Sequence, residues 1–157
     1  MSALDQYFKT EGTLSIGELP EGADALVFAQ AARTRGGLSV FVAADDSTAA
    51  AFKHAARFFA PEITLLEFPA WDCLPYDRVS PSRGIAAQRA GTLSLLSKGD
   101  FKTPHILVTT INAISQYVPP RSIMSAAGLS LKTGDVVSRE AFESYFTLNG
   151  YTRASTV

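Results

Sequence analysis

Short apolar runs alternate with longer segments of helical periodicity along most of this chain. Runs at 38–43 (LSVFVA), 63–68 (ITLLEF) and 105–109 (HILVT) are typical of strands covered on both faces of a sheet, and 13–16 (TLSI) predicts a shorter strand before them. Helical segments follow each strand, at 23–35, 46–59, 83–98 and 111–117. This alternation predicts βαβ units, right-handed crossovers and a parallel sheet between two helical layers, which is an α/β fold.

Residues suited to helix ends lie at the predicted boundaries. Gly36 and Gly37 end the first helix, Asp45 or Asp46 begins the second, and Ser82 begins the third. The third helix is expected to bury an apolar stripe, formed by Ala86, Ala90, Leu93 and Leu96.

Composition narrows the class of protein. The 157 residues carry 14 Lys+Arg against 15 Asp+Glu, and 46% are hydrophobic, which is typical of a globular chain. The near-neutral charge argues against a dedicated nucleic-acid binder, and the single cysteine excludes internal disulfides and a cysteine-based zinc site. Without a signal peptide or a membrane-length apolar run, we expect a cytoplasmic protein with no membrane partner.

The composition changes after Pro119-Pro120, which predicts two domains, 1–118 and 119–157. The second is interpreted as the beginning of a smaller α+β domain, with helices near 121–127 and 138–148 and extended segments at 129–133 and 151–156. About 35 residues bury too little surface to fold alone, so we expect a truncated domain. The alternative, that 151–157 is an edge strand or tail of a complete domain, stays open.

A glycine pair with the spacing of a phosphate-binding P-loop precedes the first helix. Gly17 and Gly22 match G-x-x-x-x-G, but Ala23 and Asp24 follow where a P-loop has Lys and Ser/Thr. The lysine would place a cation on the outer phosphates and the hydroxyl would bind Mg²⁺. Ala23 supplies neither function, and Asp24 brings negative charge to the phosphate side.

Two further carboxylates, Glu18 and Glu21, lie within the same loop. At about 7–8 Å and an effective dielectric of 20–40, each repels a unit phosphate charge by roughly 1–2 kcal/mol. The helix start attracts an anion by only about 0.3–1 kcal/mol. We therefore predict a degenerate P-loop that binds no nucleotide or other cofactor, with a chance glycine spacing as the alternative.

The remaining candidate residues favour structural roles. Asp72 and Asp77 are interpreted as turn caps, and Cys73 beside Asp72 as an unreactive thiol. Trp71 and Tyr76 are interpreted as plugs at the edge of the core, with a partner surface as the alternative. His54 and His105 have no second ligand at metal spacing. The cations of the third helix, Arg83, Arg89 and Lys98, are expected on a solvated face. No catalytic or metal-binding residue is predicted.

The segment at 68–81 (FPAWDCLPYDRVSP) is distinctive. It resembles the W-[DE]-x-L-P-Y-[DE]-x-x-S-P segment near the N-terminus of the bacterial transcription-repair coupling factors (Mfd). Three weaker matches follow in the family's order: 88–93 (QRAGTL), 131–135 (LKTGD) and 149–153 (NGYTR).

This resemblance implies a UvrB-homology module, in which a domain similar to UvrB domain 1a precedes the domain that binds UvrA. It implies a lost nucleotide site, no enzyme activity in this segment, and a parent protein that is an ATP-dependent DNA translocase. RNA polymerase, DNA and ATP would bind to other parts of that protein. The family's main UvrA contacts lie beyond the position of Val157, so none is assigned to this chain.

Three hypotheses therefore stand. The first is a non-catalytic docking module that helps recruit UvrA. The second is a small nucleotide- or phosphosugar-binding α/β enzyme, with its ligand at the carboxyl ends of the strands near Gly17, Ala43-Ala44 and Thr109-Thr110. The third and weakest is direct DNA binding.

Overall fold

Three parallel strands lie at the centre of the computed structural model, which describes residues 8, 11–73, 78–129, 131–151 and 154. The strands are β1 (Leu38–Ala43), β2 (Thr64–Phe68) and β3 (His105–Thr110). The helices are α1 (Ala23–Arg35), α2 (Asp46–Phe59), α3 (Arg83–Lys98), α4 (Ile111–Ile114), α5 (Arg121–Ala127) and α6 (Arg139–Leu148).

Strand β3 lies between the other two, so the sheet order is β1-β3-β2. Leu38 and Thr64 are both in register with His105. The chain passes from β1 through α2 to β2 and returns through α3 to the centre of the sheet. The predicted α/β class and parallel sheet are therefore confirmed.

Helices cover both faces of this sheet along β2 and β3, but the expected cover on both faces of β1 is wrong, because Val40 and Val42 are exposed. On one face, Ala29 of α1 and Phe52 of α2 pack with Ile106 of β3. Small side chains along α1 (Ala25, Ala29, Ala32) are fully buried and let α1 approach α2 closely. On the other face, Leu93 of α3 packs against Leu66 and its neighbours. The strands contribute alternate residues to the two cores because side chains along a strand point to opposite faces.

The predicted helix ends are confirmed where side chains cap them. Asp45 accepts a hydrogen bond from Thr48 N at 2.7 Å, and Ser82 accepts one from Ile85 N at 3.4 Å. Each cap satisfies a backbone N–H group that the helix itself leaves without a partner.

Two predicted strands do not form. Residues 13–16 are exposed and irregular, and the described residues of 129–133 contain no strand. A strand forms only where a neighbouring strand pairs with its backbone N–H and C=O groups. The presence of strand-forming residues does not guarantee such a neighbour. Most of the predicted segment 151–156 lies outside the described residues, and Tyr151 and Ala154 within it are irregular.

The segment after Pro119-Pro120 contacts the first predicted domain. Helix α5 packs on α3, and Arg121 Nε donates a hydrogen bond to Ser97 O at 2.7 Å. Helix α6 buries no residue, although Phe142, Phe146 and Tyr151 form edge-to-face ring contacts. The domain division at 118/119 stays a prediction. Within the described residues, no helix has both the length and the apolar character that a membrane span requires.

Candidate functional site

The loop predicted as a degenerate P-loop ends where α1 begins. Gly22 adopts φ = 79°, a left-handed conformation that favours glycine, and the helix starts at Ala23. The preceding residues are irregular, and Glu18 also has a positive φ of 56°. The helix start was therefore predicted correctly, whereas the strand that should position a P-loop is absent from residues 11–20.

Asp24 occupies the anion position at this helix start with its own carboxylate. Its Oδ1 accepts a hydrogen bond from the Ala25 backbone N–H at 2.8 Å, and the Ala23 N–H donates to Pro20 O at 3.0 Å. In a P-loop, free backbone N–H groups surround the phosphates. Here two of those groups already have partners within the chain.

An open groove of about 610 Å³ lies between the start of α1 and the start of α2. Its walls include Glu21, Asp24, Thr48 and His54, and no Lys or Arg is among the described residues that line it. Asp45 nearby caps α2, and the hydrogen bonds from Thr48 hold the pKa of Asp45 below its usual value. The groove is thus large enough for a ligand but has the wrong charge for an anionic one.

The carboxyl ends of β2 and β3 enclose a second, smaller cavity of about 100 Å³. Thr109 and Thr110 line it, together with Asp46, Lys53 and Glu67. Ligand pockets for small molecules usually measure about 300–1,000 Å³. Gly17 is not among the residues that line either of these two cavities.

The lysine in this cavity is engaged by a carboxylate of the same cavity. Lys53 Nζ lies 2.7 Å from Glu67 Oε2, which Gln88 also contacts at 3.0 Å, while Arg57 lies 3.3 Å from Oε1. Burial tends to raise the pKa of Glu67, but the hydrogen bond and charge of Lys53, aided by Gln88 and Arg57, hold it below its usual value. Thr92 Oγ1 also donates to the Glu67 backbone carbonyl at 2.6 Å. This network joins α2, β2 and α3 and leaves the lysine charge neutralised.

The prediction that the cations of α3 lie on a solvated face is wrong for Arg89. Arg83 and Lys98 are exposed as predicted, whereas Arg89 is only 2% exposed. Its guanidinium carbon lies 4.1 Å from the ring centroid of Phe68 and 4.4 Å from that of Trp71. Burial lowers the pKa of Arg89 from its ordinary high value.

The predicted apolar stripe of α3 is correspondingly wrong in part. Leu93 and Leu96 pack against the core, but Ala90 is exposed. Arg89 and Thr92 are buried instead, because each finds acceptors beside the end of β2. Their i, i+3 spacing within R-x-x-T was the available signal, since residues three apart share a helix face.

The two ends of the proline loop (residues 69–82) are held by hydrogen bonds. Arg89 Nη1 donates to Pro69 O and to Gln116 Oε1 (3.1 Å), and Trp71 N donates to the same Gln116 oxygen at 3.0 Å. Asp72 accepts a hydrogen bond from Ser82 N at 3.1 and 3.3 Å, so its carboxylate joins the two ends of the loop across ten residues, where a local turn cap was predicted. The hydrogen bonds from Ser82 lower the pKa of Asp72.

The other sequence candidates lie apart from one another. His54 is exposed on α2, while His105 begins β3 with Nδ1 2.7 Å from Thr103 O. Asp77 and Tyr76 lie outside the described residues, so their predicted roles stay predictions. Within the ranges that the structure describes, no three His, Cys, Asp or Glu side chains are grouped as metal ligands.

Fold and site together define an α/β domain of βαβ units in which the first helix start is occupied by an internal carboxylate. No family model matches the sequence. The chain is similar to the transcription-repair-coupling factor of Escherichia coli (28% identical over 142 residues, 90% of this chain and 12% of that protein). The proteins of the same name from Rickettsia bellii and Myxococcus xanthus are 30% and 31% identical, each over 75% of this chain and 10% of the relative.

These matches confirm the resemblance found in the proline loop. The chain is related to a segment of the transcription-repair coupling factors, and it spans about a tenth of the length of the curated relatives that it matches.

Proposed function

We propose that this segment is a non-catalytic module of a transcription-repair coupling factor that helps recruit UvrA, and so links stalled RNA polymerase to nucleotide excision repair. In this proposal the segment resembles UvrB domain 1a up to residue 118 and begins the UvrA-interaction domain at residue 119. ATP-driven DNA translocation and polymerase binding belong to other parts of the parent protein.

The hydrogen bond from Ala25 N to Asp24 Oδ1 is the observation that best supports a non-catalytic role. A nucleotide phosphate at this helix start would have to displace a carboxylate already bonded there and would then face its charge. Glu21 in the same groove adds a second repulsion. Ala23 offers no cation to offset either charge, so ground-state binding of a nucleotide is unfavourable.

The rival enzyme hypothesis is not favoured by the cavity at the carboxyl ends of the strands. That hypothesis requires a deep polar pocket with free donors near Thr109 and Thr110. The cavity measures about 100 Å³, and Thr109 Oγ1 donates to Phe68 O at 2.8 Å while Thr110 Oγ1 accepts from Ala113 N. The hydroxyl groups that would contact a ligand are thus engaged within the fold.

Calorimetric titration with ATP·Mg²⁺ tests the loss of the nucleotide site. We expect no binding tighter than about 100 μM, an affinity that requires roughly 5.5 kcal/mol. An active P-loop ATPase in the same buffer provides the positive control. Binding of ATP·Mg²⁺ tighter than about 100 μM that is abolished by excess ADP would overturn the non-catalytic assignment.

A pull-down with purified UvrA tests the partner. This chain is compared with a version extended by about 60 residues of its parent, a length that suits completion of a small domain. We expect the extended version to retain UvrA. If neither version retains UvrA while the parent protein does, the recruitment role belongs elsewhere and the proposal fails.

A further inference from the structure

We propose that a groove along α1 binds an extended peptide of a partner protein, in which apolar side chains alternate with arginine or lysine. The groove combines two cavities, one of about 490 Å³ along α1 and one of about 610 Å³ between the starts of α1 and α2. Leu19 and Asp24 line both cavities, so the two are continuous around the start of α1. The inference is independent of the UvrA assignment, because α1 and α2 cover the sheet face opposite to α3, on which α5 packs.

One face of α1 forms a wall of this groove along most of the helix. Its lining residues are Asp24, Val27, Phe28, Ala31 and Arg35, and residues at this spacing share a helix face. The helix rises about 16 Å between the first and the last of them, at about 1.5 Å per residue. An extended peptide rises about 3.3 Å per residue, so about five residues match this length. The shape therefore suits an extended chain better than a compact small molecule.

Apolar side chains in another wall of the groove remain accessible. Leu14, Ile16 and Leu19 belong to the irregular segment before α1 and are 48%, 41% and 39% exposed. The half-buried rings of Phe28 and Phe41 line the same part of the groove, edge to face, with their centroids 5.5 Å apart. Grouped apolar surface of this kind is typical of an interaction site. Alternate side chains of an extended peptide point to one side, so its apolar residues would reach this surface together.

Charge selects among extended peptides. The carboxylates of Glu11, Glu21 and Asp24 line the groove, against the guanidinium of Arg35 among the described residues. Residues 11–24, which supply most of the irregular wall, contain four carboxylates and no Lys or Arg. A basic peptide is attracted to such a surface, whereas an acidic peptide of the same shape is repelled.

A fluorescein-labelled peptide of six residues, in which leucine and arginine alternate, is the probe for this groove. Its fluorescence anisotropy in a titration with the full chain should show saturable binding, with a dissociation constant of about 100 μM or tighter at low salt. Binding should weaken about threefold or more between about 50 and 200 mM salt, because salt screens exposed charges. Two control peptides, with glutamate in place of arginine or serine in place of leucine, should bind about tenfold more weakly or worse.

A substitution on α1 tests whether the peptide binds in this groove. Ala31→Arg places a long cationic side chain on the helix face that lines the groove, while Ala87→Arg, at an exposed position of α3, is the matched control. We expect A31R to weaken binding of the leucine-arginine peptide about tenfold or more and A87R to change it less than about twofold. Undetectable binding to the wild type, equal binding by A31R, or equal affinity for the glutamate peptide would overturn the proposal.

A second variant covers the case in which A31R does not fold. Glu11→Gln/Glu21→Gln removes two exposed charges with little change in side-chain size, and Glu140→Gln on α6 is its control. We expect the double variant to weaken binding about threefold or more at low salt, with E140Q unchanged. Unaltered affinity in the double variant would overturn the proposal. A dimer in sedimentation of the wild type that A31R dissociates would also overturn it, since a second copy of the chain would then occupy the groove.

Discussion

Replacement of Asp24 by alanine should destabilise the protein by about 1–2 kcal/mol. The carboxylate accepts a hydrogen bond from Ala25 N, worth about 0.5–1.5 kcal/mol net. Its charge at the start of α1 contributes a further 0.3–1 kcal/mol or so through the helix dipole. Ala23→Ser, which leaves the carboxylate in place, should lie within about 0.5 kcal/mol of the wild type.

Urea unfolding followed by far-ultraviolet circular dichroism measures this loss. With a denaturant slope of about 2 kcal/mol/M, the midpoint of D24A should fall by roughly 0.5–1 M. Asp46→Ala is the matched control, because Asp46 occupies the first turn of α2, where the neighbouring Asp45 makes the capping hydrogen bond. D46A should therefore lose only the dipole contribution, about 0.3–1 kcal/mol. Equal midpoints for D24A and D46A would refute the inference that Asp24 occupies the helix start as a bonded anion.

Three further predictions concern the core, the pH dependence and the nucleotide site. Phe52→Ala should cost about 3–5 kcal/mol in urea unfolding, because Phe52 is 1% exposed and stacks on a neighbouring ring 3.6 Å away, whereas Phe58→Ala, at a 78% exposed position, should cost less than about 0.5 kcal/mol. The pKa of Glu67 is lower in the folded state, so its stabilising contribution is complete above the unfolded pKa of 4.5 and is lost as the pH falls through the folded pKa. The stability of E67Q towards acid should therefore depend less steeply on pH in that range. An acid-unfolding profile identical to that of the wild type would contradict this prediction. The double variant Ala23→Lys/Asp24→Thr should gain no ATP affinity measurable by calorimetry, because residues 11–20 contain no strand that could position the loop. A clear gain would show that two substitutions alone had silenced a P-loop.

Local signals in the sequence predicted the three strands that form and the helices between them, but they also predicted strands at 13–16 and 129–133 that the described residues do not form and a helix to residue 117 that ends at Ile114. The apolar runs predicted β1, β2 and β3 within one residue of their bounds, although only β3 is buried along most of its length and β1 exposes Val40 and Val42. Asp45 and Ser82 predicted helix starts because a capping side chain acts on its own next turn. The proline loop carried enough specific residue types to identify the family before the comparisons confirmed it.

The sequence predicted the charge of the candidate site but not its hydrogen bonds. The absence of lysine at position 23 and the acidic residue at 24 predicted a helix start unsuited to phosphate. The sequence did not reveal that Asp24 would bond the helix itself, because the choice between a solvated and a bonded carboxylate depends on side-chain geometry.

Sequence by itself determined the βαβ order, the helix starts and the negative charge around Gly22, since all three arise from residues within a few positions of one another. Tertiary structure alone decided the fate of residues 13–16 and of Arg89. Segment 13–16 has strand-forming residues, but no strand among the described residues pairs with it. Arg89 carries a full charge yet is buried because Phe68, Trp71 and Gln116 converge on it from elsewhere in the chain. Backbone pairing and the burial of a charge both require partners that only the folded chain brings into contact.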